Sequence, residues 1–336
     1  MKLVTFVAEG QERHGALVEI QGTPFVIDFP AAFAWREKEA GRETDARTLA
    51  ERFGGDMLGL IRQQDEAMPV ARELVALAEE GKLPETLRRP LASVRLMAPV
   101  PRPPSMRDGY AFRQHVETAR RNRGLEMIPE FDQFPIFYFT NHYGVVGPGD
   151  VEVLERHLER LDFELEAAVV IGKKGKNLSA SEADAHVFGM TIMNDWSARG
   201  LQMEEMKLNL GPAKGKDFAT SLGPYLVTLD ELAPKTTRGP NGNVYDLEMK
   251  AHVNGVHVST GNVKDMTWTF AQILERASYG VTLHPGDVIG SGTCGTGCFL
   301  ELNGSGITKN QWLQVGDEVV LEIEGLGRLE NRIVRG

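Results

Sequence analysis

The chain has 336 residues, 42% of them hydrophobic, so it is long enough to bury one large core or two smaller ones. It carries 47 acidic and 37 basic residues, a formal net charge of -10, and no long run of Lys or Arg. This balance argues against a nucleic-acid partner, because clustered cations bind a phosphate backbone. No stretch resembles a secretory signal or is apolar enough to cross a bilayer, so we expect a cytoplasmic protein without membrane contact.

The first part of the chain, residues 1–95, is predicted to form a small separate α+β domain. Three short runs of alternating apolar and polar residues within residues 1–30 predict antiparallel strands. From Thr44 to about Glu80, apolar residues recur at helical spacing, which predicts helix. The Pro-rich segment 96–107 then breaks regular structure and is interpreted as a linker.

The remainder, residues 108–336, is dominated by strand-like sequences with few helices between them. This pattern predicts a β-rich mixed domain and not a doubly wound α/β sheet, so the whole chain belongs to the α+β class. Asn254 and Gly255 separate two alternating runs and predict a type I′ hairpin, because both residues tolerate positive φ. The clearest helix runs from Asp265 to Ser278, with an N-cap residue at its start and Gly280 after its end.

Four carboxylates are candidates for a metal site. Glu164 and Glu166 alternate with apolar residues in a predicted strand and share one face with Asp162. Taken alone, these three favour a solvated strand face over a functional site. Asp108 follows the linker, and Asp195 ends an apolar run. Carboxylates brought together would repel and need a cation, and an all-oxygen set suits Mg²⁺, Mn²⁺ or Ca²⁺. Spacing alone establishes only the first pair.

Three other motifs point away from common functions. Cys294 and Cys298 are isolated in a Gly-rich stretch, which predicts reduced thiols without a zinc site or a disulfide. Residues 290–295 match the Gly-x-Gly-x-x-Gly pattern, but a strand-like segment follows them, so we expect no dinucleotide site. Residues 211–216 lack the spacing of a P-loop and are followed by Asp217 where Ser or Thr would hold Mg²⁺.

Several separated motifs between residues 100 and 303 resemble those of the fumarylacetoacetase family, in the same order. They are RDGYAFRQH, LDFELE, FGMTIMNDWSAR with a following Gln202, GPAKGKDFAT, and SGT with a later Glu. The resemblance implies a homodimeric hydrolase that cleaves a carbon-carbon bond in a β-diketo acid such as fumarylacetoacetate, in aromatic compound catabolism. It also implies a divalent metal, Mg²⁺ or Ca²⁺ and alternatively Mn²⁺.

The same resemblance implies roles for individual residues. His115 would be the general base, oriented by Glu301 in a predicted strand, and Lys216 would face the developing oxyanion. The residues implied at or near the metal are Asp108, Glu164, Glu166, Asp195, Lys216 and Thr220. The residues implied in the substrate pocket are Tyr110, Tyr138, Gln202, Thr293 and Arg123.

Two departures from the family pattern fall on substrate contacts. Met206 stands where the family has Tyr, and Gly124 stands where it has Arg, with Arg120, Arg121 and Arg123 close by. The reaction type is therefore better determined than the particular acid.

Two alternative functions remain open. A lyase on the same scaffold would decarboxylate oxaloacetate or an acylpyruvate, or hydrate a 2-oxo-enoic acid. Decarboxylases of the family resemble a pattern of His followed three residues later by Glu, whereas Thr118 stands there in this chain, beside Glu117, which favours the hydrolase. A non-catalytic ligand-binding protein is the third alternative, and the joint presence of His115, Lys216 and Glu301 argues against it.

Overall fold

Ten α-helices and twenty-three strands form the chain in the computed structural model, which describes all 336 residues. The helices are α1 (Phe29–Glu39), α2 (Ala46–Phe53), α3 (Met57–Arg62), α4 (Gln64–Glu79), α5 (Arg113–Arg121), α6 (Glu155–Leu158), α7 (Ala180–Ala183), α8 (Arg199–Met206), α9 (Phe270–Ser278) and α10 (Phe299–Gly304). None is long and apolar enough to cross a membrane.

The strands, numbered along the chain, are β1 (Lys2–Ala8), β2 (Gln11–Ile20), β3 (Thr23–Asp28), β4 (Arg88–Pro90), β5 (Arg95–Leu96), β6 (Met106–Gly109), β7 (Phe137–Thr140), β8 (Val145–Val146), β9 (Gly149–Val153), β10 (Leu161–Asp162), β11 (Leu165–Ile171), β12 (Gly175–Lys176), β13 (Val187–Asp195), β14 (Ser197–Ala198), β15 (Thr220–Thr228), β16 (Thr236–Gly239), β17 (Gly242–Tyr245), β18 (Glu248–Val253), β19 (Val256–Asn262), β20 (Thr282–Leu283), β21 (Val288–Gly290), β22 (Glu318–Ile323) and β23 (Gly327–Arg335). The β-rich α+β class predicted from the sequence is confirmed.

The N-terminal part contains the three predicted strands, β1 to β3, paired antiparallel. Helices α2, α3 and α4 occupy the region with helical spacing. Helix α1 was not predicted, because its sequence FPAAFAW is apolar at almost every position and therefore shows no helical period. Its start is nevertheless well defined, since the Asp28 side chain accepts a hydrogen bond from the Ala31 N–H and Pro30 occupies the first turn.

One sheet of twelve strands runs through both parts of the chain. Its order is β4-β3-β2-β1-β15-β13-β11-β21-β6-β7, with β5 also paired to β1 and β8 to β15. Lys2 of β1 lies opposite Val227 of β15 in an antiparallel pair. Strands from residues 1–95 thus continue the sheet of the larger part. The division into two domains joined by a linker stays a prediction.

The central strand β11 is buried on both faces. Ala167, Val169 and Ile171 point into a core of 41 residues, and the alternate residues Ala168 and Val170 point into a second core of 28 residues. A strand covered on both faces reads as a continuous apolar run, as LEAAVVI does. The carboxylate of Glu166 is therefore placed inside the molecule and not on a solvated strand face.

A second sheet of five strands has the order β19-β18-β22-β23-β9. The predicted hairpin between β18 and β19 is present, with positive φ at Asn254 (51°) and Gly255 (74°). The predicted start of the neighbouring helix is wrong. Helix α9 begins at Phe270, because Thr269 and Gln272 form a reciprocal capping box four residues beyond Asp265.

Candidate active site

The four candidate carboxylates meet at the centre of the large sheet. Asp108 lies in β6, Glu166 in β11 and Asp195 at the end of β13. Glu164 lies in an irregular stretch between β10 and β11, so the prediction of one continuous strand there is wrong. Its N–H donates to the Asn194 side-chain oxygen (2.9 Å), a bond that holds this stretch beside β13.

These four side chains form a buried acidic cluster. One carboxylate oxygen from each of Asp108, Glu164, Glu166 and Asp195 lies within 4.8 Å of the others, and all four residues are buried. The Lys216 ammonium donates to Glu164 Oε2 and Asp195 Oδ2, each at 2.6 Å. This ammonium and one buried guanidinium beside Glu164 cannot balance four carboxylates, so the cluster holds an excess of potential negative charge.

The excess negative charge shifts the pKa values of the carboxyl groups in the cluster. Burial, reinforced by the charge of Asp195, raises the pKa of Asp108 to about 7. Burial and Asp108 raise the pKa of Glu166 well above its usual value, and burial also raises the pKa of Asp195. Burial opposes ionisation of Glu164 too, but Lys216 and a buried guanidinium outweigh it and lower the pKa of this carboxyl. In the absence of a balancing cation, these shifts favour the protonated, neutral form of Asp108, Glu166 and Asp195.

The cluster fits a divalent metal ion. Glu166 Oε2 and Asp195 Oδ1 are buried without any hydrogen-bond partner, and buried carboxylate oxygens normally have one. An all-oxygen ligand set with surplus negative charge suits a hard cation. Thr220 is buried and lies directly opposite Asp195 in the β13–β15 pair, which places it beside the cluster.

A histidine and a glutamate are paired near this cluster. His115 Nδ1 lies 2.7 Å from Glu301 Oε2, and both side chains are buried. His115 belongs to α5 and Glu301 to the first turn of α10, so the prediction of a strand around Glu301 is wrong. A short apolar run such as CFLEL does not distinguish strand from helix. Tyr110 packs edge-on against the imidazole, with ring centroids 5.7 Å apart.

A cavity of about 470 Å³ connects the two groups. The predicted site residues that line it are Asp108, Tyr110, His115, Arg123, Tyr138, Glu164, Gln202, Lys216 and Thr293. The others, Glu166, Asp195, Thr220 and Glu301, lie behind this lining. Of the three arginines near Gly124, only Arg123 lines the cavity. It forms no ion pair and donates one hydrogen bond to the Ala119 carbonyl oxygen (3.0 Å). Tyr138 donates a hydrogen bond to Asp195, which links the cavity wall to the acidic cluster.

Sequence reasoning missed Arg199. This buried guanidinium lies 2.9 Å from Asp162 and 2.7 Å from Glu164, and it also donates to the Gln202 side chain (3.0 Å). Arg199 lies within the quoted motif FGMTIMNDWSAR, one helical turn before Gln202, and this spacing is the signal that could have identified it. The remaining unpredicted lining is mainly apolar and includes Ile136, Phe137, Met203 and Leu300.

We expect Arg199→Met to destabilise the protein by about 3–5 kcal/mol, because it leaves the buried Asp162 without a charged partner and Glu164 with Lys216 alone. Urea unfolding followed by circular dichroism measures this loss. The matched control is Arg72→Met, since Arg72 pairs with Asp230 on the surface and such pairs contribute about 0–1 kcal/mol. Equal losses in the two variants would contradict a buried stabilising role for Arg199.

A deep cavity with a metal-suited carboxylate cluster and a His–Glu pair is the site of an enzyme. The profile of the family described as "Fumarylacetoacetate (FAA) hydrolase C-terminal" matches residues 105–334. The chain belongs to the fumarylacetoacetate hydrolase family, which confirms the resemblance seen in the sequence.

The chain is similar to proteins of this family with different described activities. It is 32% identical to oxaloacetate tautomerase YisK of Bacillus subtilis (strain 168), over 84% of this chain and 88% of the relative. It is 34% identical to the mitochondrial oxaloacetate tautomerase FAHD2A of Homo sapiens, over 83% and 79%. The fumarylacetoacetate hydrolase EaFAH of psychrophilic Exiguobacterium antarcticum has a similar structure (TM-score 0.68, 26% identity, full coverage of both chains).

Proposed function

We propose that the chain is a metal-dependent keto–enol tautomerase of a small 2-oxo dicarboxylic acid, with oxaloacetate as the first candidate. The observation that carries this proposal is that His115, paired with Glu301, lines the same cavity as Asp108 and Glu164 of the acidic cluster. A base and a cation site then act on one bound molecule. The two tautomerase relatives, matched over most of their lengths, support this reaction over the hydrolysis first expected.

The ligands proposed for the ion are Asp108, Glu164, Glu166 and Asp195, with Thr220 beside them. Mg²⁺, Ca²⁺ or Mn²⁺ suits these oxygens. A bound divalent ion would hold the carboxylate and carbonyl oxygens of a 2-oxo acid and stabilise negative charge on the carbonyl oxygen.

His115 is the proposed base. Because Nδ1 is engaged by Glu301, Nε2 is the ring nitrogen available to take a proton from the carbon next to the carbonyl. Glu301 fixes this tautomer and stabilises the imidazolium until the proton is returned. Burial opposes the charge of Lys216, but Asp195 and Glu164 outweigh it and raise the Lys216 pKa, so this group stabilises an oxyanion as a fixed charge.

The second carboxylate of the substrate would be bound by Arg123, the cavity arginine without an ion pair. A guanidinium can hold a carboxylate through two parallel hydrogen bonds. Gln202, Tyr110, Tyr138 and Thr293 complete the proposed polar lining. The apolar remainder of the wall excludes water from a proton being moved between carbon and oxygen.

A hydrolase remains the second candidate, for one specific reason. The same His115–Glu301 pair could activate a water molecule for attack on a carbonyl carbon. A decarboxylase has weaker support, because Thr118, not a glutamate, stands three residues after His115.

A substrate panel with Mg²⁺-loaded protein separates these reactions. The expected result is faster loss of the enol absorbance of oxaloacetate without matching pyruvate formation, compared with Mg²⁺ alone. Acylpyruvates and fumarylacetoacetate should be cleaved slowly or not at all. Rapid cleavage of either diketo acid, with no effect on the oxaloacetate enol, would replace the tautomerase proposal with the hydrolase.

Metal affinity should rise with pH. Below about pH 7 Asp108 holds a proton in the metal-free fold, and burial with the charge of Asp108 raises the pKa of Glu166 as well. The ion requires ionised carboxylates, so binding releases these protons and the association constant grows about tenfold per pH unit for each proton released. Calorimetric Mg²⁺ titrations from about pH 5 to about pH 8 measure the slope. An affinity independent of pH would contradict the assigned ligands.

A further inference from the structure

A second group of possible metal ligands lies beside the acidic cluster. His115, Cys298 and Glu301 present one nitrogen, one sulfur and one oxygen within 4.8 Å of one another, and all three residues are buried. Unlike the four carboxylates, this set contains a thiol and an imidazole. Such ligands favour Zn²⁺ over Mg²⁺ or Ca²⁺.

The backbone explains why the three side chains meet. Cys298 is the N-cap residue of α10, and Glu301 is the third residue of that helix. N-cap and third-residue side chains lie on the same side of the first helical turn. His115 comes from α5, which packs against α10. The arrangement therefore rests on two packed helices and not on a mobile loop.

We infer that His115, Cys298 and Glu301 form an inhibitory Zn²⁺ site that overlaps the proposed base. Three protein ligands leave a fourth position for water, as in other three-ligand zinc sites. Of the three residues only His115 lines the cavity, so an ion would reach the site past this imidazole. Spacing along the chain does not reveal this site, because Glu301 is near Cys298 but His115 is distant from both.

Charge and geometry both suit the ion. Binding displaces the thiol proton to solvent, and Zn²⁺ with one thiolate, one carboxylate and a neutral imidazole has no net charge, which lowers the cost of burial. The 2.7 Å separation of His115 Nδ1 and Glu301 Oε2 must widen to about 3.3 Å around a tetrahedral ion. The imidazole proton then resides on Nε2, so that nitrogen can no longer accept a proton from a substrate.

The inhibition rests on the proposed role of His115, but binding itself does not, and Co²⁺ can report binding directly. We expect Co²⁺ added to the Mg²⁺-loaded protein to give a thiolate-to-metal charge-transfer absorption band. The band should be absent in Cys298→Ser and in Cys298→Ala. It should persist in Cys294→Ser, since Cys294 is an equally buried thiol outside the set. Circular dichroism verifies that each variant is folded.

Inhibition is measured next, with Zn²⁺ and excess Mg²⁺. Cys298→Ser should retain activity and require at least about tenfold more Zn²⁺ for half inhibition. Tenfold is the lower end of the affinity loss seen when a residue supporting a metal site is removed. No band in the parent protein, or a band in Cys298→Ser, would overturn the site. Inhibition that is equal in both proteins and relieved by Mg²⁺ would place Zn²⁺ at the acidic cluster only and also overturn it. A band without inhibition would retain the site and contradict the proposed base.

Discussion

His115→Ala is expected to reduce kcat by about 10²- to 10⁴-fold, the usual contribution of a positioned general base. The imidazole is the proposed proton acceptor, and Ala supplies no replacement. Mg²⁺ affinity should be unchanged, because His115 is not a member of the acidic cluster. Steady-state tautomerase kinetics and calorimetric Mg²⁺ titration measure the two effects separately.

Glu301→Gln should give a related loss, because a neutral amide stabilises an imidazolium less well and can select the other tautomer. The double variant should be little worse than His115→Ala alone, since the two residues act as one unit. His257→Ala, on the exposed β19 strand, is the matched control and should keep full activity. Nearly full activity of His115→Ala would show that another group takes the proton.

Glu166→Gln is expected to weaken Mg²⁺ binding by more than about 100-fold. Loss of a residue that only supports a metal ligand costs about 10- to 100-fold in affinity, and Glu166 is a proposed ligand itself. Turnover should fall with it. The metal-free fold should keep its thermal stability, because burial and Asp108 raise the pKa of Glu166 and so favour its neutral form, which an amide resembles in shape and charge. Calorimetric titration measures the Mg²⁺ affinity of this variant, and thermal melting of the metal-free protein measures its stability.

Glu152→Gln removes the same charge from an exposed position of β9 and should change neither quantity, so it serves as the control. An unchanged Mg²⁺ affinity in Glu166→Gln would remove this residue from the ligand set. A large fall in metal-free stability would mean that Glu166 is ionised in the fold, contrary to its raised pKa.

The sequence predicts most of the local structure where one physical signal dominates. Strict alternation predicts β1 to β3, and the pair Asn254 and Gly255 predicts the hairpin. The signal fails where a segment is apolar on every side, as in α1, or too short, as around Glu301. It also fails where two caps compete, because Asp265 and Thr269 are both suitable N-cap residues and only Thr269 has its reciprocal Gln272.

The sequence names residues of the candidate site but does not give their geometry. The order of the motifs predicted His115, Glu301 and the four carboxylates as site residues. In the structure they line one cavity or lie directly behind its lining. Two facts required three-dimensional information. The first is the β1–β15 pair, whose partners are more than 200 residues apart. The second is Arg199, whose burial depends on two carboxylates, Asp162 and Glu164, from another part of the chain.

Proton NMR of oxaloacetate in D₂O tests the central claim most directly. The account predicts that the Mg²⁺-loaded protein accelerates replacement of the C3 protons by deuterium while the carbon skeleton stays intact. It also predicts that His115→Ala loses this acceleration. Formation of carbon-carbon cleavage products without faster exchange at C3, or unchanged exchange in His115→Ala, would contradict proton transfer by His115 as the reaction of this site.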